Sequence, residues 1–283
     1  MLKTRVLTAL VLLAVLLPVL YSSNYTAFAV VATAFFGVAV WETFRLFNPK
    51  SDKAPLVAVL WTAVFVWIFF FTNSASISIF WFTPQFWFYL SVALWLVRFV
   101  PSLKMGLPPL DNPRNTILSF AYAASLVGCF AAIVTLYAYS PLYLLSVLAI
   151  VWCADIFAYF SGKAFGKRKL APSISPGKSW EGVYGGCVAV IVIATLVILF
   201  GGETLANTFP VRVQASLGWA VTYLTLILIV AASVVGDLFE SQLKRRAAMK
   251  DSSNLLPGHG GVLDRIDALV PVLPLAALVG AWL

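Results

Sequence analysis

The chain has 283 residues, of which 61% are hydrophobic and 15% aromatic, and its mean hydropathy is +0.95. A soluble globular domain of that composition would expose large apolar patches, so the sequence excludes one and indicates a polytopic membrane protein. The formal net charge of +8, from 19 basic and 11 acidic residues, sits in short loops between apolar runs. Charge placed there suits anionic headgroups and anionic substrates, and no separate basic domain exists for nucleic acid.

Crossing about 30 Å of hydrocarbon takes roughly 20 helical residues. Nine apolar runs approach that length, at about 6–21, 26–44, 55–71, 79–97, 117–138, 141–160, 183–201, 215–236 and 266–283. Strand-type alternation is missing from them, so the expected fold is all-α with about nine transmembrane helices. Lys3 and Arg5 flank the first run as in a secretory signal, but no small-residue cleavage site follows. An uncleaved first helix is expected. With the N-terminus in the cytoplasm, 18 of the 19 basic residues fall on that side and only Arg212 falls outside. That partition puts the C-terminus outside.

Two regions are expected. Residues 1–138 would supply scaffold and lipid contact, with Trp61, Trp67, Trp81, Trp87 and Trp95 as candidate interfacial anchors. Glu42 is the exception there; Arg45 follows three residues later, and the two are expected to pair along the helix. The stretch 101–114, rich in proline, reads as a turn-forming connector. Residues 139–283 would form the catalytic region, with loops at 161–182 and 237–265. Cys129, Cys153 and Cys187 fall inside apolar runs with no metal-site spacing, as small packing residues do.

The chemistry begins at Asp155, which shares a face of the sixth expected helix with Tyr159, one turn on. A carboxylate that deep in a span must face protein or water rather than lipid. The loop beyond interleaves Gly162, Gly166 and Gly177 with Lys163, Lys167, Arg168, Lys169 and Lys178, followed by Ser179 and Glu181. Glycines let backbone N–H groups approach an anion while lysines supply charge, as phosphate binding requires. The spacing is not that of a Walker A motif, so a basic surface loop that contains glycines explains this stretch equally well.

The eighth expected helix ends with Asp237, Glu240, Ser241 and Lys244 at i, i+3, i+4 and i+7, which makes one polar face. Asp264 and Asp267 share a face at the start of the ninth, just after the run Pro257 to Gly261. Two helix ends carrying carboxylates, joined by a basic, glycine-containing loop, suit Mg²⁺ held by one or two carboxylates plus phosphate oxygens. Salt-bridged surface pairs, Glu240 with Lys244 and Asp264 with Arg265, are the simpler alternative. Repetition of acid, base and glycine at three sites favours a functional cluster. His259 is the only histidine, and its acidic neighbours suit a hard ion, so it reads as a phosphate hydrogen-bonding or proton-transfer group rather than a metal ligand, with a structural place in the glycine-rich loop as the alternative.

At these residues the chain resembles the phosphatidate cytidylyltransferase family, also called CDP-diacylglycerol synthases. Its signature is matched by Ser241, Lys244, Arg245, Lys250, Asp251, Ser253, His259, Gly260, Gly261, Asp264, Arg265 and Asp267. Asp155, Tyr159, Gly162, Lys163, Gly166, Lys167 and the run Ser175 to Gly182 are similar to bacterial members, and Trp41-Glu42 is a fainter echo. The resemblance covers most of 152–270. Ser253 departs from the glycine of many members, and a positive φ there would strain it.

The resemblance implies that CTP and phosphatidate are joined into CDP-diacylglycerol and pyrophosphate, for phospholipid biosynthesis, with Mg²⁺ on Asp237 and Asp264 and room for a second cation such as K⁺. It implies Asp155, Lys244, Lys250, His259 and Asp267 as further catalytic residues. Lys167, Ser175, Lys178, Ser179, Glu181, Ser241, Arg245, Asp251, Gly260, Gly261 and Arg265 would bind substrate. A homodimer in a bacterial inner membrane, its site facing the cytoplasm, belongs to the same expectation. Such a transfer needs no protein nucleophile, because the lipid phosphate attacks directly and the protein supplies positioning and charge neutralisation. The alternatives are a related CTP-dependent lipid kinase and a transporter, whose polar residues should gather near the midplane on broken helices. A membrane prenyltransferase should show two Asp-rich clusters.

Overall fold

Local sequence sets where the helices start. Asn112 and Ser140 each precede a proline, and each side chain accepts a hydrogen bond from a backbone N–H of the first turn, Arg114 N at 2.9 Å and Tyr143 N at 3.4 Å. A polar cap followed by proline at the first helical position satisfies a free N–H and fixes φ for the helix. The computed structural model describes residues 14, 18–22, 24–71 and 83–282. Most of the first expected span and Trp81 lie outside the described residues.

Among these residues six helices are long and apolar enough to cross a membrane. They are α1 (Tyr25–Phe47), α3 (Pro84–Met105), α4 (Pro113–Tyr139), α5 (Pro141–Phe165), α6 (Trp180–Phe200) and α7 (Phe209–Arg246). Two shorter apolar helices, α2 (Ala54–Phe69) and α9 (Leu269–Gly280), and the single turn α8 (Leu263–Ile266) complete the set. The fold is nearly all helical, with one addition: the loop after α5 contains an antiparallel hairpin, β1 (Lys169–Ala171) and β2 (Ser175–Ser179), with Lys169 opposite Ser179. Period-2 hydrophobicity is missing from these short, polar strands, so the hairpin left no pattern to read.

α7 also differs from its expected run. Gly218, with φ 79° and ψ 174°, interrupts it, so 219–246 forms the long helix and the residues before it a separate short one. Glycine tolerates that backbone conformation where other residues would be strained.

The core centres on α4, whose most apolar 18-residue window is 72% buried, against 17% for α6. α1, α3 and α9 surround α4, while α5, α6 and α7 form a second group. α5 and α6 approach closely because small residues line their seam: a Cβ at Gly186 would lie 2.6 Å from Ala154 O. Small residues let backbones pack where hydrophobicity itself cannot drive helices together. Trp95 sits in the other group, 3% exposed, donating from Nε1 to Ser125 Oγ at 2.8 Å. It is therefore an interior packing residue and not an interfacial anchor; the buried serine satisfies its one polar atom.

Several chain segments converge at one end of the bundle. Asn115 Nδ2 donates to Phe47 O at 2.9 Å, Gln242 Nε2 to Ser102 O at 3.0 Å, and Arg246 Nη1 to Pro108 O at 2.9 Å. These bonds tie the ends of α1, α3 and α7 to the start of α4 and fasten the proline-rich connector. Every polar motif singled out from the sequence belongs to this end or to the loops that leave it.

Candidate active site

The α5 helix brings Asp155, Tyr159, Gly162 and Lys163 to one wall of a cavity of about 480 Å³. The hairpin adds Ser175, Gly177, Lys178 and Ser179, and α7 adds Asp237. The wall can close this tightly because a Cβ at Gly182 would lie 2.8 Å from Ala158 O. Lys178 Nζ stands 2.7 Å from Asp237 Oδ2, and Ser241 Oγ donates to Asp237 Oδ1 at 3.3 Å. Both members of the ion pair keep solvent access, with 25% and 34% of their side-chain surfaces exposed. A water-accessible carboxylate and ammonium in a glycine- and serine-lined cavity can exchange each other for a charged ligand.

Glu181 shapes this wall from behind. Its carboxylate accepts from Lys167 N and Arg168 N, each at 3.1 Å, and pairs with Arg168 Nε at 3.2 Å. The base of the hairpin is fixed by those bonds. Arg245 Nε reaches Ile174 O at 3.5 Å and links its turn to α7. Ser179 caps α6 by accepting from Gly182 N at 3.2 Å, so the serine that lines the cavity also starts the helix. Lys167, Glu181 and Arg245 thus support the cavity without lining it.

Two turns further along the same face of α7, Lys244 lies between Glu240 and Asp264, 2.6 Å from Asp264 Oδ1. Asp264 Oδ2 accepts from Ser252 N at 2.9 Å, Ser252 Oγ at 2.9 Å and Gly261 N at 2.7 Å. Burial pushes the Asp264 carboxyl upward, but the Lys244 ammonium and the N–H groups of Gly261 and Ser252 outweigh it and hold the group below its ordinary range. A tight turn leads into this knot: Leu256 N donates to Gly260 O and His259 N to Leu256 O, both at 2.8 Å, with Gly258 and Gly260 at positive φ. Arg265 Nη2 donates to His259 O at 2.7 Å, holding the turn from outside. Asp267 Oδ1 accepts from Ala268 N at 2.8 Å, and its own carbonyl packs against Gly236, where a side chain would collide. Lys250 and Asp251 are exposed at the start of the loop.

The structure therefore gathers the sequence candidates into two places. Asp155, Ser175, Lys178, Ser179 and Asp237 meet in the cavity, with Ser241 behind Asp237; Lys244, Gly260, Gly261 and Asp264 meet in the knot. One expected ion pair and one pair of the simpler salt-bridge alternative do not form. Asp264 pairs with Lys244 rather than Arg265, because the α8 turn directs Arg265 to the His259 carbonyl. Glu42 turns inward to the loop at 252–263, leaving the Arg45 guanidinium 5.7 Å over the Trp41 ring. Ser253 has no positive φ; its hydroxyl donates to Glu42 Oε1 at 2.5 Å, a bond glycine could not make. Glu42 is the residue sequence reasoning undervalued, and Ser252 was not singled out at all. The only available signal was an acid near the end of an otherwise apolar span.

Among the described residues no three His, Cys, Asp or Glu side chains converge as a ready-made metal cage. Mg²⁺ does not require one, since it is commonly held by one or two carboxylates plus phosphate oxygens. Asp237 and Asp264 fit that pattern as hard oxygen donors, each with a lysine ammonium standing on one oxygen as a monovalent stand-in. Asp264 offers only Oδ1, because Oδ2 is committed to Ser252 and Gly261.

Comparison with known proteins covers nearly the whole chain. The chain is 36% identical to the phosphatidate cytidylyltransferase of Haemophilus influenzae, covering 97% of this chain and 96% of that protein. It is 40% identical to the one of Pseudomonas aeruginosa, over 99% and 98%, and 31% identical to the one of Bacillus subtilis, over 96% and 95%. Residues 3–283 match the Cytidylyltransferase family, so the similarity takes in the N-terminal helices as well as the polar loops, and the chain belongs to that family.

Proposed function

We propose that this chain joins CTP and phosphatidate into CDP-diacylglycerol and pyrophosphate in the cavity bounded by α5, the hairpin and α7. The observation that carries the reading is the Lys178–Asp237 pair at 2.7 Å, a solvent-accessible acid and base facing each other in a glycine- and serine-lined space. The shared name of the relatives, over nearly their full length, supports the choice of substrates.

Mg²⁺ bound through Asp237 and Asp264 would neutralise charge on the triphosphate. The remaining work falls to the chain's own groups. Lys178 and Lys244, released from the carboxylates they now balance, are placed to meet phosphate oxygens. Ser175, Ser179 and the backbone at Gly177 line the path where phosphates would lie. The glycines bring the backbone within reach and exclude bulk from the cavity wall. A phosphate oxygen of the lipid attacks the α-phosphorus of CTP in line; that P–O bond forms as the bond to the β-phosphate oxygen breaks, and pyrophosphate carries the electron pair away.

The reading includes nine spans, N-terminus inside and C-terminus outside, with the site at the cytoplasmic face of a bacterial inner membrane. The partition of basic residues and the alignment of α1 to α7 and α9 with eight of the nine apolar runs support it. A second cation such as K⁺ and a homodimer are proposed on the family resemblance alone. The polar residues gather at one end of the helices rather than at mid-span, which favours surface chemistry over transport.

Purified protein given phosphatidate, Mg²⁺ and CTP labelled at either the α or the γ phosphate tests the reaction. Label should enter lipid only from the α position, with pyrophosphate released. Transfer of the γ label, or activity on diacylglycerol but not phosphatidate, would sink the reading in favour of a lipid kinase.

A further inference from the structure

Glu42 lies near the end of a scaffold helix, fully buried, and is bound to a loop more than 200 residues away in sequence. Oε1 accepts from Ser253 Oγ at 2.5 Å and Val262 N at 3.1 Å; Oε2 accepts from Leu263 N at 2.6 Å and Ser252 Oγ at 3.1 Å. An ionised carboxylate has about four lone-pair sites; three are filled by donors of their own, and the fourth faces the Ser252 hydroxyl, whose one proton is shared with Asp264. Val262 N and Leu263 N belong to the start of α8, where backbone donors have no partner within the helix.

A buried carboxylate is an expensive way to join a loop to a helix, because desolvation opposes it and apolar packing often stabilises as well or better. What it provides is direction. Ser252 Oγ lies 3.1 Å from Glu42 Oε2 and 2.9 Å from Asp264 Oδ2, so one hydroxyl stands between the two carboxylates. The fit is tight, since a Cβ at Gly261 would overlap both Ser252 Oγ and the Glu42 carboxylate. Glu42 therefore grips both sides of the segment that surrounds Asp264: the serines before it and the amides beside it.

We propose that Glu42 is a positioning residue for the reaction. From α1 it clamps residues 252–263 so that Asp264 turns Oδ2 to its backbone donors and presents Oδ1 toward Lys244. The inference rests on the role given to Asp264 above, and it makes the N-terminal scaffold a working part of the site.

Glu42→Gln preserves size but points two N–H groups at donors. Turnover should fall about 10²-fold, the scale of loss when a reacting group is misplaced by about an ångström. KM for CTP should change by less than about threefold, because the cavity that would bind it is untouched. The Mg²⁺ concentration for half-maximal turnover should rise roughly tenfold, as expected when a metal ligand loses its supporting hydrogen bonds. Amide hydrogen exchange, measured without nucleotide or metal, should accelerate across 252–263 and not in α5 or the hairpin. Thr43→Ala is the control: its buried hydroxyl has no hydrogen-bond partner among the described residues, and its loss should leave all four readouts at wild-type values. If Glu42→Gln does not insert, Ser253→Ala removes one of the four bonds and should show the same pattern, a few-fold in size.

Unchanged turnover, unchanged exchange in 252–263, or loosening spread evenly through the chain would overturn the proposal. If wild-type protein transfers no cytidylyl group but Glu42→Gln still loosens only 252–263, the functional reading fails and the clamp stands as structure alone.

Discussion

The cavity and the knot use the same parts in opposite ways. Each contains a carboxylate and a lysine in contact, 2.7 Å for Lys178–Asp237 and 2.6 Å for Lys244–Asp264. Asp237 and Lys244 lie on one face of α7, seven residues and hence about 10 Å apart along its axis. Their surroundings differ. In the cavity 25% and 34% of the two side chains are exposed; in the knot the values are 14% and 5%. The first pair is weakened by water on both sides, whereas the second is braced: backbone donors hold Asp264 Oδ2, and only Oδ1, facing Lys244, is left to exchange for a ligand. Identical chemistry is thus open to water in one place and held in a fixed orientation in the other, and burial decides which.

The sharpest way to break that comparison is to neutralise each carboxylate in turn. Asp237→Asn and Asp264→Asn should each reduce turnover by about 10³-fold, since each removes charge from a proposed metal site. The double variant should be no worse than either single one, because groups that act as a unit are not additive. Thermal stability in detergent should separate them. Asp237→Asn should melt near wild type, while Asp264→Asn, leaving buried donors without an acceptor, should lose on the order of 2 kcal/mol. Equal melting temperatures for the two variants would erase the distinction between cavity and knot.

Gly261→Ala places a methyl group against Ser252 and Glu42 and should damage the knot alone. The loss is expected at about 1–3 kcal/mol of stability, with the KM for CTP close to wild type. A rise in KM comparable to that of a cavity variant would show that packing in the knot also shapes the cavity wall. Lys178→Met is the converse case. It should raise the KM for CTP about tenfold and leave stability unchanged, because a half-exposed ion pair contributes little to folding.

The mildest test concerns which side of the membrane both places share. Single cysteines at Asp52, Ser173 and Asn254, all exposed, should resist an impermeant thiol reagent added to intact cells, and cysteines at Ser22 and Asn207 should react. Outside labelling at Ser173 or Asn254 would turn the orientation over.

Much of this architecture was legible beforehand. Eight of the nine apolar runs correspond to helices among the described residues, six of them long and apolar enough to cross a membrane and two, Ala54–Phe69 and Leu269–Gly280, shorter; a run in hydrocarbon must satisfy its backbone internally. Asp155 with Tyr159, and Asp237 with Lys244, were placed on common faces by helical spacing alone, and both pairs keep those faces in the fold. The hairpin was not legible, because its strands are short, polar and held by Glu181 rather than by a buried face. The partners of Glu42 and Asp264 were not legible either. Local spacing offered Arg45 and Arg265, yet the acids bind groups brought to them from elsewhere in the chain.

By itself, then, the sequence determined the membrane environment, the helical class, the end of the molecule where charge collects and the residue types available for chemistry there. These follow from composition and from the 3.6-residue period, which are properties of neighbouring residues. Only the tertiary structure decided which carboxylate stands in water and which is braced by backbone donors. Burial and hydrogen-bond partnership depend on contacts such as Glu42 with Leu263, separated by 221 residues, and no local pattern encodes a contact of that range.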